Sequence, residues 1–163
     1  MISAPGVGPI LAGGILGRLG DAKRFTDLAG IRSFSGMVPK VNQTGHTETR
    51  PGITKTGDAG LRRDIWFAAD VARQIDPQLA AKYHRLIVER RLHHYSAVCH
   101  LATTLLTRIA ACWRNDERYV IRDLDGRRIT PTGGSAIVQA RYRIPPEIRT
   151  RARITTTTSG SAQ

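Results

Sequence analysis

Residues 58–77 read DAGLRRDIWFAADVARQIDP, and this stretch decides the fold. Asp58 is a helix-capping type whose carboxylate can accept a backbone N–H of the first turn. Leu61, Ile65, Ala68, Ala69, Ala72 and Ile75 recur at helical spacing and define one apolar side. Arg62, Arg63, Asp70 and Arg73 fall elsewhere on the same helix. Asp76-Pro77 is a second start signal, a cap followed by a proline at the first helical position, and predicts a helix through about Glu89. Arg90 to His94 forms a polar junction. Ser96 to Trp113 is a third helix, with Ala97, Leu101, Thr104, Leu105, Ile109 and Trp113 in register. Three successive helices without an intervening strand pattern predict a mainly α fold.

Upstream, Pro5-Gly6-Val7-Gly8-Pro9 leads into Ile10, Leu11, Ala12, Ile15, Leu16 and Leu19, again at helical spacing, with Pro9 in the first turn. Gly20-Asp21 closes that helix. Thr26 or Asp27 caps a short helix from Leu28 to Phe34, which Gly36 and Pro39 end. Downstream, Tyr119 to Asp123, Asp125-Gly126 and Arg128 to Thr130 suggest a small β-hairpin. From Thr132 the chain is rich in Gly, Thr, Ser and Arg, a composition of disorder. The expected organisation is therefore a domain over 1–114, a hairpin extension over 115–131 and a basic disordered tail over 132–163. The domain divides into a helix-hairpin-helix-like start (1–39), a basic loop (40–58) and helices (59–114).

The charge says what such a domain faces. Among 163 residues, 25 Lys+Arg stand against 13 Asp+Glu, a net charge of +12. A polyanion is the expected partner: DNA, RNA, a ribosome or an anionic surface. Hydrophobic residues make up 40%, enough for a core, whereas aromatics are only 6%, which argues against a stacking platform for single-stranded bases. The uncharged start, Met1 to Gly17, lacks a basic n-region and a cleavage site, and no segment suits a membrane span. The expected location is the cytoplasm, with the nucleoid.

Two stretches suit phosphate. Glycines before a helix let backbone N–H groups approach an anion, so Gly6, Val7 and Gly8 are candidates for gripping a DNA strand; the competing reading is helix packing. Lys40 to Asp58 has no periodicity and holds Gly45, Gly52, Gly57 and five threonines. Its Lys40, Gln43, Arg50 and Lys55, with Arg62 and Arg63 beyond it, combine cations and amides that suit a phosphodiester backbone; the competing reading is a solvated charged surface. Arg62 and Arg63 oppose the helix dipole in a first turn, a cost that a bound anion would offset.

Other chemistry finds little support. Cys99 and Cys112 lie thirteen apart in one helix and read as reduced thiols. His93, His94, Cys99 and His100 invite a zinc site, but their helical spacing turns Cys99 away from the histidines. No carboxylate cluster has the look of a two-metal centre; Asp58 and Asp76 read as caps.

Several blocks occur together in one order: Pro5-Gly6-Val7-Gly8-Pro9, Gly20 to Phe25, Phe34 to Pro39, Gln43-Thr44-Gly45, Ile53 to Asp58, Leu61-Arg62-Arg63 and Ala68-Ala69. This set resembles the C-terminal transposase domain of the "IS one-ten" (IS110-type) family of insertion-sequence transposases, related to Piv-type DNA invertases. The resemblance covers roughly Met1 to Trp113. It implies an enzyme in which an N-terminal RNase H-type domain carries an acidic metal site, and a C-terminal serine attacks the DNA phosphodiester to form a covalent link. The position matching that serine is Thr44, flanked by Gln43 and Gly45; Ser35 is a fallback nucleophile. The resemblance further implies element ends and target DNA as partners, a guide RNA for some members, and self-association. No cofactor is expected in this chain, the divalent metal belonging to the N-terminal half. Beside the family the chain reads as a truncated copy, and the alternative is a non-catalytic basic module that binds DNA or guide RNA.

Overall fold

The computed structural model of the chain describes residues 2–37 and 57–148. It is mainly helical: α1 (Pro9–Leu19), α2 (Leu28–Ser35), α3 (Ala59–Ala72), α4 (Pro77–His84), α5 (His94–Arg114) and α6 (Pro131–Arg141). A 3₁₀ turn, Ala22–Arg24, joins α1 to α2, and a π-helical turn, Arg85–Glu89, prolongs α4. No helix among the described residues is long and apolar enough to cross a membrane.

Local chemistry starts α1 to α4 where the sequence predicts, while α5 begins at His94, two residues before the expected Ser96. Asp27 accepts from Gly30 N at 2.7 Å, Asp58 from Leu61 N at 2.7 Å, and Asp76 from Gln78 N at 2.9 Å and Leu79 N at 3.2 Å. Pro9, Pro77 and Pro131 each sit at a helix start, where the missing N–H costs nothing. Gly36 ends α2 in the left-handed region, at φ +67°. The junction after α4 turns at Arg91, whose φ is +54°.

The core is built on α5. Its Ala97, Val98, Leu101, Ala102, Leu105, Leu106, Ile109 and Ala110 are buried, and it packs most extensively against α3. On α3 the buried side is Leu61, Ile65, Ala68, Ala69 and Ala72, as the periodicity predicts; Ile75 lies in the turn beyond the helix. The three alanines present a thin face, so α1 and the residues before it approach closely. Ala12, Ile15 and Leu19 of α1 close the core from that side.

A buried polar group links the lower elements. Tyr119 donates from its hydroxyl to Asp76 Oδ2 at 2.8 Å, and Arg108 stands 3.6 Å from the same oxygen. Arg108 also donates to Gln78 Oε1 at 2.9 Å, and Gln78 Nε2 donates to the Asp123 carbonyl at 2.9 Å. Asp76, 1% exposed, thus accepts hydrogen bonds on both carboxylate oxygens and has a guanidinium beside it, which makes its burial tolerable.

Two expectations change. The hairpin over 119–130 reduces to a turn with one isolated bridge, Arg122 to Arg128, and no strand forms among the described residues. Two backbone bonds join its arms, Ile129 N to the Ile121 carbonyl at 3.1 Å and Asp123 N to the Arg127 carbonyl at 2.9 Å. Other elements hold it too, since Tyr119, Ile121 and Asp123 are buried and the Gln78 bond fixes the turn to α4. The second change concerns the tail. Residues 131–141 form α6 rather than disordered chain, capped by Thr130, whose hydroxyl accepts from Gly133 N at 3.1 Å. The physical reason is a tertiary contact at Gly134. A Cβ there would come within 2.1 Å of the Ile75 carbonyl, so the glycine lets α6 seat on the α3–α4 turn. The rest of the expected tail, 149–163, lies outside the described residues.

Candidate nucleic-acid interface

The described residues that flank segment 38–56 are Ser35 to Met37 on one side and Gly57 to Arg63 on the other. These two strands of chain meet. A Cβ on Gly57 would lie 2.2 Å from the Phe34 carbonyl oxygen and 2.3 Å from Gly36 N, so only glycine fits. Asp58 N donates to the Phe34 carbonyl at 3.2 Å. Arg62 staples the crossing: its Nη1 donates to the Gly57 carbonyl at 2.7 Å and the Ser35 carbonyl at 3.3 Å. Segment 38–56 therefore departs and returns at one closed base on the first turn of α3.

Most of the charge at that base is paired within the protein. Asp64 is 5% exposed, and Arg18 of α1 reaches its Oδ2 at 3.1 Å while Arg63 reaches its Oδ1 at 3.2 Å. Arg18 also pairs with Asp58 at 3.3 Å. Arg18 lies across Gly60, where a Cβ would meet its Nε at 2.2 Å. The dipole cost of Arg62 and Arg63 is thus offset by Asp58, Asp64 and two carbonyls of the protein itself, and it requires no bound anion. Three guanidiniums against two carboxylates leave the base with one excess positive charge. Arg63 is 65% exposed and is the cation of this group turned most to solvent.

Sequence reasoning missed Arg18. Its only local signal is the small residues it needs beneath it, Gly14 and Gly60, and those are separated in the sequence by α2 and the loop.

Beside Arg62 and Arg63 lies an open cleft of about 370 Å³, lined also by Met37, Trp66, Phe67 and Tyr95. Trp66 and Tyr95 stack, with ring centroids 5.6 Å apart and planes inclined at 26°. Phe67 meets the Trp66 ring edge-on at 5.4 Å and 87°. Phe67 and Tyr95 remain 52% and 56% exposed.

The other predicted residues fall as follows. Gly6 has φ +77° and packs on α3, where a Cβ would lie 2.2 Å from the Ala68 carbonyl oxygen. Val7 is buried at 4%, and Gly8 is exposed at the N-cap of α1. Packing accounts for Gly6 and Val7; Gly8 alone presents open backbone. Ser35 is fully buried, with its hydroxyl donating to the Arg32 carbonyl at 2.7 Å, which removes it as a nucleophile. Lys40, Gln43, Thr44, Gly45, Arg50 and Lys55 lie outside the described residues.

Of the predicted cluster, His94 packs, while His93 accepts from Tyr95 N at 3.3 Å and His100 is exposed. His94 Nδ1 is 2.8 Å from the Tyr83 hydroxyl, and its ring meets Trp66 edge-on at 5.9 Å. Burial lowers its pKa below the ordinary imidazole value, against the pull of Asp70. Burial likewise raises the thiols of Cys99 and Cys112, so neither is an activated nucleophile. No group of three or more metal-ligating side chains gathers among the described residues.

Residues 1–84 match the transposase IS116/IS110/IS902 family, a span that holds α1 to α4 and the whole base of segment 38–56. The chain is similar to the transposase for insertion sequence element IS1328 of Yersinia enterocolitica, 32% identical over 107 residues that cover 64% of this chain and 32% of the relative. It is similar to the mini-circle putative transposase for IS117 of Streptomyces coelicolor, 30% identical over 127 residues, 73% of this chain and 28% of the relative. An uncharacterized 43.6 kDa protein of insertion element IS110 from the same organism is 25% identical over 122 residues, 75% of this chain and 30% of the relative. The chain spans about a third of the length of these relatives. No solved structure matches it significantly.

Proposed function

The chain belongs to the IS116/IS110/IS902 transposase family, and from that premise we propose that it is the C-terminal, DNA-binding domain of an insertion-sequence transposase. In this reading the domain holds element-end and target DNA through phosphate contacts and presents the hydroxyl of Thr44 to the scissile bond. The Thr44 Oγ1–phosphorus bond forms as the bond from phosphorus to the leaving deoxyribose oxygen breaks. The hydroxyl proton passes to a base, and the leaving oxygen takes up a proton. The ester conserves the phosphodiester energy for rejoining. The acidic metal site such chemistry uses belongs to an RNase H-type domain that must act with this one.

The observation that supports this reading is the closed base at Gly36 and Gly57. A segment holding five threonines, two lysines and one arginine is tethered at both ends to a helix start, with Arg63 exposed beside it. Rigid tethering restricts where a hydroxyl on that segment can reach, and exposed cations supply phosphate contacts. A guide RNA and self-association belong to the same proposal as partners of the assembled enzyme.

The second reading, a non-catalytic module holding DNA or guide RNA, is favoured by the residue at 44. Threonine carries an extra methyl that crowds an in-line attack. One experiment separates the two. The chain is incubated with an RNase H-type partner domain, divalent metal and element-end DNA, and covalent adducts are sought on a denaturing gel. An adduct that disappears with Thr44→Ala supports the catalytic reading. Salt-dependent DNA binding without any adduct supports the module, and an adduct that survives Thr44→Ala removes Thr44 as nucleophile.

A further inference from the structure

The geometry points to the Trp66–Phe67–Tyr95 cleft as a site that stacks one unpaired nucleobase, with Arg62 and Arg63 beside the strand that carries it. This rests on the proposed DNA-binding role and adds to it a preference for DNA with a base out of the helix.

Few aromatic residues are present, but the fold brings three of them from two helices to one place. Trp66 and Phe67 come from α3, and Tyr95 from the first turn of α5. Trp66 acts as the backing: it stacks on Tyr95 and receives the edge of Phe67. His94 meets the same indole edge-on at 5.9 Å and helps hold its orientation. The outer rings, Phe67 and Tyr95, keep more than half their surface in water, at 52% and 56%. A soluble domain leaves paired aromatic rings open to solvent at a cost, so an occupant is the simplest account.

The chemistry of the rim selects that occupant. Arg62 and Trp66, and Arg63 and Phe67, are i, i+4 pairs on α3, so each cation stands one turn from a ring. A ring beside a guanidinium matches a base beside its phosphate, and every base offers a π-face. The cleft, at about 370 Å³, lies at the small end of ligand-sized pockets, which run from about 300 to 1,000 Å³. That suits a single base better than the apolar face of a helix. In the interior of a paired duplex both faces of each base are already stacked, so the occupant must be a base outside the stack. The excess positive charge beside the cleft, with Arg63 turned to solvent, suits an anionic strand rather than a cationic or neutral peptide.

The test uses the full chain and two short duplexes of the same sequence. One is fully paired, and one carries a single unpaired 2-aminopurine. Tighter binding to the second, with quenching of the 2-aminopurine emission, is expected. Phe67→Ala and Tyr95→Ala should each reduce the preference by about five- to 150-fold, the range of a lost base–aromatic stack. Tyr95→Phe keeps a ring and should keep the preference, which separates stacking from damage to the fold. Equal binding of both duplexes without quenching overturns the site while leaving the DNA-binding role standing. Quenching that survives the double alanine variant also overturns it. Loss of self-association in Phe67→Ala with quenching unchanged assigns the patch to a second copy and overturns it too. Failure to bind either duplex overturns the DNA-binding role itself, and the site with it.

Discussion

Replacing Gly6 by alanine separates two uses of the glycine-rich start. If Gly6 serves to bring backbone N–H groups to a phosphate, Gly6→Ala should lower DNA affinity in a folded protein. The structure predicts a stability defect instead. Gly6 has φ +77°, where an L-residue costs about 1–2 kcal/mol. Its new Cβ would lie 2.2 Å from the Ala68 carbonyl oxygen and 3.1 Å from Ala72 N, both backbone atoms of α3 that no side-chain rotation can move. Overpacking of this kind costs about 1–3 kcal/mol more. The sum, about 2–5 kcal/mol, lowers the melting temperature by about 4–20 °C for a chain of this size. Circular dichroism at 222 nm during urea and thermal unfolding reads the change. Gly8→Ala is the control: nothing lies within 4 Å of its Cβ position, so its effect on stability should stay under about 1 kcal/mol. A Gly6→Ala protein that unfolds at the wild-type midpoint but binds DNA weakly would refute the packing argument and restore the phosphate reading.

Arg62→Ala should remove both bonds that its Nη1 makes to the Gly57 and Ser35 carbonyls; a loss of about 1.5–3 kcal/mol is expected, read by denaturant unfolding. Tyr119 has its phenol pKa raised by burial and by Asp76, so the native state keeps a proton that the unfolded chain loses above about pH 10. Stability should fall as pH rises past that point, and Tyr119→Phe should flatten the fall in unfolding midpoints measured across it. His94 has its pKa lowered by burial, so below about pH 6.5 the unfolded chain takes up a proton that the native state resists. The melting temperature should drop between pH 7 and pH 5.5, and an NMR titration of His94 should show its midpoint below that of the unfolded chain.

The helices were legible because their signals are local. Asp58, Asp76 and Asp27 each cap a helix that starts within a residue of them, and apolar spacing marks which side of α3 and α5 is buried. The same cap-and-proline pair, Thr130-Pro131, stands at the start of α6, but its glycine-rich continuation concealed a helix that its seat against Ile75 and α4 stabilises. The family was legible for a related reason, since its motifs are short blocks in one order. The site was legible only by region. Arg62 and Arg63 were picked for their charge and position, while their partners, Gly57, Ser35 and Asp64, follow from where α2 and α3 meet.

Composition argued against base stacking because it counts rings, and stacking depends on where rings converge. Trp66 and Tyr95 are 29 residues apart and share a surface only because α5 folds back along α3. What the sequence determined by itself is the helices from α1 to α5, the buried side of each long one and the transposase family. Tertiary structure decided that Gly6 is a packing contact, that Ser35 is sealed in the core, that Arg18 neutralises Asp64, and that an aromatic cleft opens beside Arg63. Caps and periodicity act over one or two turns and so are written in the order of residues. Close approach, ion pairing and ring convergence depend on distances between elements far apart in the chain, which are set only when the helices pack.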